Sequence, residues 1–135
     1  MQLKNLATGV ALPLPDDLLW TDEHGWTPAV ASISYLVTGA LLVQSAVRQA
    51  GRPITLAGAI DMAWVTRATV AALYEWAAVP LGASNGRFEL TLADSRVFVV
   101  AFRHGETPVE AEPVAGFPAR SDDDFYRLTL RFLEL

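Results

Sequence analysis

Phe125-Tyr-Arg-Leu-Thr-Leu-Arg-Phe-Leu-Glu-Leu135 closes the chain, and its reading decides the fold. Tyr126, Leu128, Leu130 and Phe132 fall on one side, and Arg127, Thr129 and Arg131 on the other, the period of two that marks a half-buried strand. A chain ending this way has its last residues tied into a sheet. The same period recurs upstream. Ile33, Tyr35 and Val37 alternate with Ser32, Ser34 and Leu36, Thr38-Gly39 offers a turn, and Leu41, Val43, Ser45 and Val47 alternate with Leu42, Gln44, Ala46 and Arg48. That pattern predicts a long β-hairpin, stopped by Gly51-Arg52-Pro53. Ile54 to Gly58 reads as a third strand. Phe88, Leu90 and Leu92 alternate with Glu89 and Thr91, the chain turns at Ala93-Asp94-Ser95-Arg96, and Val97 to Arg103 returns. Because Val97 to Phe102 is apolar on both faces, it is expected to be a central or doubly covered strand. From His104 to Asp124 a loop is expected, with Pro108, Pro113 and Pro118 interrupting any long ladder and Val109 to Val114 making one short edge strand.

The period changes once. From Thr66 onward Val70, Leu73, Tyr74 and Ala77 share one stripe at helical spacing, Thr66 is positioned as N-cap, and Pro80 stops the run. The expected fold is therefore mainly β with some α: a small β-barrel or sandwich of about six or seven mostly antiparallel strands carrying one inserted helix over about 67–78. Residues 29–135 are expected to form that single domain. Residues 1–28 read as an N-terminal docking arm, because Pro13 and Pro15 extend the backbone, Asp16 and Asp17 mark a turn, and Leu18, Leu19, Trp20 and Trp26 supply apolar anchors. Those four residues are the expected assembly interface, and deleting residues 1–20 is expected to leave a folded domain.

Composition narrows the function. A net charge of −5 disfavours a nucleic-acid binder, which needs a dense basic stripe over the phosphates. Nine of the ten basic residues are arginine, a leaning seen at protein interfaces and equally produced by GC-rich coding. The absence of cysteine removes disulfides, thiolate zinc sites and a Cys nucleophile. Apolar residues make up 52% of the chain, yet charged residues, Gln or Pro interrupt every run before it could cross a bilayer, and the first residues lack the apolar core of a signal peptide. A cytosolic protein without membrane association is expected.

No catalytic, cofactor or metal site is expected. His24 and His104 lie in separate loops and offer no ligand spacing, and Asp122-Asp123-Asp124 lacks the glycine and spacing of a calcium loop. There is no Gly-x-Ser-x-Gly, phosphate loop or dinucleotide fingerprint, and nothing draws Glu75 and Glu89 together as a carboxylate pair. Trp20, Trp26, Trp64 and Trp76 raise the option of a sugar-stacking platform. Trp64 and Trp76 flank the helix and read as core, whereas Trp20 and Trp26 read as subunit-contact anchors.

The order of segments carries a resemblance. Leu18-Leu-Trp-Thr-Asp-Glu-His-Gly-Trp26, Gly51-Arg-Pro-Ile-Thr-Leu-Ala-Gly58, Trp64-Val-Thr-Arg67 opening a helix, Phe88 to Phe102 with its Leu92-Ala-Asp-Ser-Arg-Val-Phe98 hairpin, and Tyr126 to Glu134 together resemble small tail or baseplate proteins of bacteriophages and prophages, a tail-tube-like family. Ser95 stands where such relatives commonly have glycine. The resemblance implies a non-enzymatic structural component of the virion, held in the host cytoplasm until it assembles as a ring at the distal tail. Its partners would be other copies of itself, six being one such stoichiometry, and neighbouring tail or baseplate proteins. The alternative function is a carbohydrate- or receptor-binding β-sandwich module of a virion, and a small enzyme is the third class.

Overall fold

A computed structural model describes all residues 1–135. Eleven strands and one helix follow in the order β1 (Gln2–Asn5), β2 (Ala11–Pro13), β3 (Leu19–Trp20), β4 (Ala29–Tyr35), β5 (Leu41–Val47), β6 (Pro53–Ala57), β7 (Trp64–Thr66), α1 (Arg67–Ala77), β8 (Phe88–Thr91), β9 (Val97–Phe102), β10 (Val109–Pro113) and β11 (Phe125–Glu134). Nine strands share one antiparallel sheet, seven along the path β2-β1-β8-β9-β11-β6-β3 with β7 and β10 also pairing β11, and β4-β5 stands apart as a two-stranded ribbon. The fold is mainly β with one helix, as the periodicities predict, and it is sandwich-like with no closed barrel.

The terminal strand is the spine. Along one edge β11 pairs with β9 at Phe132–Glu134 and with β10 from Tyr126 to Leu130; along the other it pairs with β6 from Thr129 to Leu133 and with β7 from Phe125 to Arg127. Its inward face delivers Leu128, Leu130 and Phe132 to the core, all essentially without solvent contact. Ile54, Leu56, Phe88, Leu90, Val100, Phe102 and Val109 meet them from neighbouring strands. Phe102 bridges two of these strands, with ring centroids 5.1 Å from Phe88 and 4.9 Å from Phe132. β9 lies between β8 and β11, so its central placement follows its sequence; only its second half is buried, and Val97 and Val99 face solvent.

The helix closes this core from one side, burying Val70, Leu73 and Ala77. Thr66 caps it in an extended conformation, its hydroxyl accepting from the Thr69 N–H. The next unsatisfied donors, Arg67 N–H and Ala68 N–H, bond the carbonyls of Asp124 and Asp122, so the acidic loop before β11 acts through its backbone to hold the helix start. At the other end Tyr74 Oη donates to Val109 O at 2.9 Å, and the Trp76 and Phe88 rings stack at 5.5 Å.

The docking arm expected over residues 1–28 is corrected by the structure. β1 pairs with β8 and β2, β3 pairs with β6, and Leu3, Leu14, Leu18 and Trp20 belong to the same core cluster as β11. The physical reason is an edge: without β1, the ladder groups of β8 and the apolar side chains of Phe88 and Leu90 would face water. Strands of four, three and two residues are too short to show a period, so the sequence displays only their prolines and anchors.

Candidate functional site: the exposed β4–β5 ribbon

The β4–β5 ribbon is the part of the chain left without a partner. Its seven cross-strand pairs run in unbroken register from Ala29↔Val47 to Tyr35↔Leu41. Directly opposed residues share a face, so one face carries Ala29, Val47, Ala31, Ser45, Ile33, Val43, Tyr35 and Leu41, and the other Val30, Ala46, Ser32, Gln44, Ser34 and Leu42. Every ribbon residue is exposed except the half-buried Val30. No charged residue stands between Pro28 and Val47. A two-stranded hairpin is marginal in water without a third strand or a packed face, and a charge-free edge invites pairing. The ribbon is therefore an uncharged ladder with open edges and no covered face in the monomer.

Its root is fixed to the body by a polar cluster around Trp20. The Trp20 indole N–H donates to Asp22 Oδ1 at 2.8 Å, and Asp22 also accepts from the Thr55 N–H and hydroxyl at 2.9 Å each. The Arg52 guanidinium lies 4.6 Å from the indole ring centre and donates to Glu23 O; that of Arg96 lies 5.4 Å from it and bonds the Glu23 carboxylate at 2.7 Å. Partial desolvation opposes the Asp94 charge, but hydrogen bonds from the Arg96 backbone and guanidinium outweigh it and hold the Asp94 carboxyl below its ordinary range. Hydrogen bonds from Arg96 to Glu23 and Asp94 hold the Arg96 guanidinium above its own. These contacts tie both legs of the ribbon, residues 21–28 and 48–52, to β6 and to the turn between β8 and β9.

The expected interface residues separate accordingly. Leu18 and Trp20 are 4% and 8% exposed and belong to the monomer's core, which corrects their assignment as interface anchors. Leu19, on the opposite face of the two-residue strand β3, is 61% exposed, and Trp26, in the ribbon's first leg, is half-buried. Trp64 reverses in the other direction: expected in the core, it is 43% exposed. Alternation in the three-residue β7 explains this, since Val65 takes the inward position and turns Trp64 outward. The indole N–H of Trp64 donates to Ile60 O, and its ring lies 5.9 Å from the exposed Phe125. The ribbon's full exposure was beyond sequence reasoning, although its run without charges was readable.

The polar candidates stay apart. His24 is on the ribbon's first leg with its ring in solvent, while His104 Nε2 contacts Ala77 O at the end of α1. Glu75 is on the exposed face of α1, and Glu89 sits in β8 opposite Lys4. No three potential metal-ligating side chains come together. No protein-family model, curated protein or solved structure matches the chain.

Proposed function

We propose that this protein is a non-enzymatic structural component that assembles with copies of itself through the β4–β5 ribbon. The one observation that carries the reading is the ribbon's surface: two strands of seven residues, free of charge and exposed on both faces. Such a ribbon gains from any neighbour that pairs its edges or covers Ile33, Tyr35, Leu41 and Val43. Taken with the resemblance to phage tail and baseplate proteins, the reading places the chain in a ring at the distal tail of a virion, beside other tail proteins, and in the host cytoplasm before assembly. Light scattering over a concentration series tests it, comparing the full chain with a variant in which residues 32–44 are replaced by a two-residue turn. Oligomers from the full chain and monomers from the variant are expected. A full chain that remains monomeric at every concentration rejects self-assembly.

A second reading, the carbohydrate- or receptor-binding module, is favoured by one feature, the exposed Trp64–Phe125 pair, because adjacent aromatic faces are what sugar rings stack on. Quenching of tryptophan fluorescence by glycans, lost in Trp64→Ala and without any change in mass, would support it.

A further inference from the structure

A recess of about 520 Å³, open to solvent, lies between the start of α1, the first residues of β11 and the loop that joins β10 to β11. Three guanidinium groups line it, Arg67 from α1, Arg120 from the loop and Arg127 from β11, against a single carboxylate, Glu112. Arg127 already pairs with that carboxylate at 3.2 Å. The other two are not neutralised. Arg67 donates only to neutral acceptors, Ala119 O at 3.1 Å and Tyr126 Oη at 3.4 Å, which hold its guanidinium at the wall and leave its charge unmatched. Arg120 is exposed and meets no acceptor in the monomer. The acids that follow it, Asp122 to Asp124, do not line the recess, and Asp124 Oδ2 accepts from the Ser121 N–H. The recess thus concentrates positive charge on a chain whose net charge is −5.

The rest of the lining is largely apolar. Phe117, 66% exposed, stands with Pro113 and Pro118 beside the guanidinium groups. Arg67 and Tyr126 also wall an adjoining recess of about 310 Å³, whose remaining residues are Val70, Ala71, Tyr74 and Ala111. Both tyrosine hydroxyls are occupied, Tyr126 Oη donating to Ala119 O and Tyr74 Oη to Val109 O, so a ligand can cover either ring without stranding a donor. A volume of a few hundred Å³ with apolar faces and a small number of fixed polar groups is what small-molecule sites offer.

We propose that this recess binds a small organic oxyanion, a carboxylate or a phosphate monoester carried on an apolar body, with its charge held by Arg67 and Arg120 and its apolar part against Phe117 and Tyr126. Guanidinium forks match the oxygens of carboxylates and phosphates, and the two unmatched positive charges select an anion over a neutral or cationic ligand. A bare inorganic anion would leave the aromatic faces unused. An alcohol would leave the guanidinium groups unused. The inference does not depend on self-assembly, and its failure leaves that reading untouched.

Calorimetric titration of the full chain with four probes, octanoate, octyl phosphate, octanol and inorganic phosphate, tests the site. Saturable binding of at least one of the two octyl oxyanions is expected, roughly tenfold or more tighter than octanol and inorganic phosphate, and the tighter of the two identifies the headgroup. Arg120→Gln and Phe117→Ala change exposed side chains, so the melting transition should stay in place while each weakens that binding roughly tenfold. Arg48→Gln, which removes an exposed arginine from the ribbon's second leg, should leave it unchanged. No saturation by either oxyanion up to about 1 mM overturns the inference. Octanol binding as tightly overturns it by showing an apolar surface alone, and inorganic phosphate binding as tightly does so by showing a bare arginine cluster. An affinity untouched by Arg120→Gln or by Phe117→Ala, or reduced as much by Arg48→Gln, also overturns it, because the ligand is then held elsewhere or by net charge.

Discussion

The β4–β5 ribbon and the β10–β11 pair are both antiparallel ladders, yet they present opposite surfaces to solvent. On the outer face of β10–β11 and the adjoining loop, Arg127 pairs with Glu112 at 3.2 Å, and Arg131 lies 3.2 Å from Glu110 and 3.6 Å from Glu106. Arg103 extends this chain of charges from Glu106 to Asp22. Each such pair is worth little stability in water, about 0–1 kcal/mol. Their effect is on association, since a face whose charges are hydrated and already matched gives an apolar neighbour little to bind. The ribbon has no charge with which to do this. One ladder is finished within the monomer, with its inner face in the core and its outer face neutralised, and the other is unfinished on both faces. The difference in charge is written in the sequence, whereas the covering of one ladder's apolar face and not the other's is decided by tertiary context, because both segments alternate.

The largest effect expected from breaking this comparison comes from exchanging which piece is removed. Deleting residues 1–20 removes Leu3, Leu14, Leu18 and Trp20 from the core, each worth roughly 1.5–3 kcal/mol of burial, a total comparable with the stability of a whole domain. Cooperative thermal melting should disappear. Replacing residues 32–44 of the ribbon with a short turn should leave the body's melting transition in place. If the first variant melts cooperatively, β1 and β3 are dispensable and the ordering of the two regions is wrong.

Single substitutions sharpen the same contrast. Leu130→Ala, in the fully buried centre of β11, should cost ~2–5 kcal/mol in denaturant melts. Val43→Ala, at the centre of the exposed face of β5, should change monomer stability by less than ~0.5 kcal/mol. Similar values for the two would place the ribbon inside the monomer's cooperative unit.

Smaller effects test the local devices that frame the sheet. Thr66→Ala should lose ~1 kcal/mol, because the Thr69 N–H loses its capping acceptor, whereas Arg67→Lys, which keeps a donor near Ala119 O, should lose less. An equal loss in the two melts would show that the cap is not what holds the helix start. Ser95 sits at φ +71° in the turn joining β8 and β9, where a Cβ is strained. Ser95→Gly should therefore raise stability by up to ~1 kcal/mol, offset in part by the greater freedom of the unfolded chain. A lower melting temperature would mean that Ser95 makes a contribution beyond its backbone conformation.

Much of the fold was legible because its signals are local. The alternation in Phe125 to Glu134, the change to helical spacing after Thr66 and the cap itself each depend on a few neighbouring residues, and the structure has strand, helix and cap at those places. The candidate site was legible only in part. The hairpin at Ile33 to Val47 is visible as a hairpin, but nothing in its pattern distinguishes an apolar face buried at home from one left open. Trp20 and Trp64 show the same limit, since each faces in or out according to the register of a strand only two or three residues long.

The sequence by itself determined the class of fold, the position and start of the helix, and which face of the terminal strand is apolar, all through periodicity and short-range hydrogen bonding. Tertiary structure alone decided that the first twenty residues complete the core, that Trp20 is buried and Trp64 exposed, and that β4–β5 stands free. These outcomes depend on which edges are left over once β11 has taken four neighbours. Edge pairing is a competition among distant segments for the same backbone donors and acceptors, and no local pattern records who wins it.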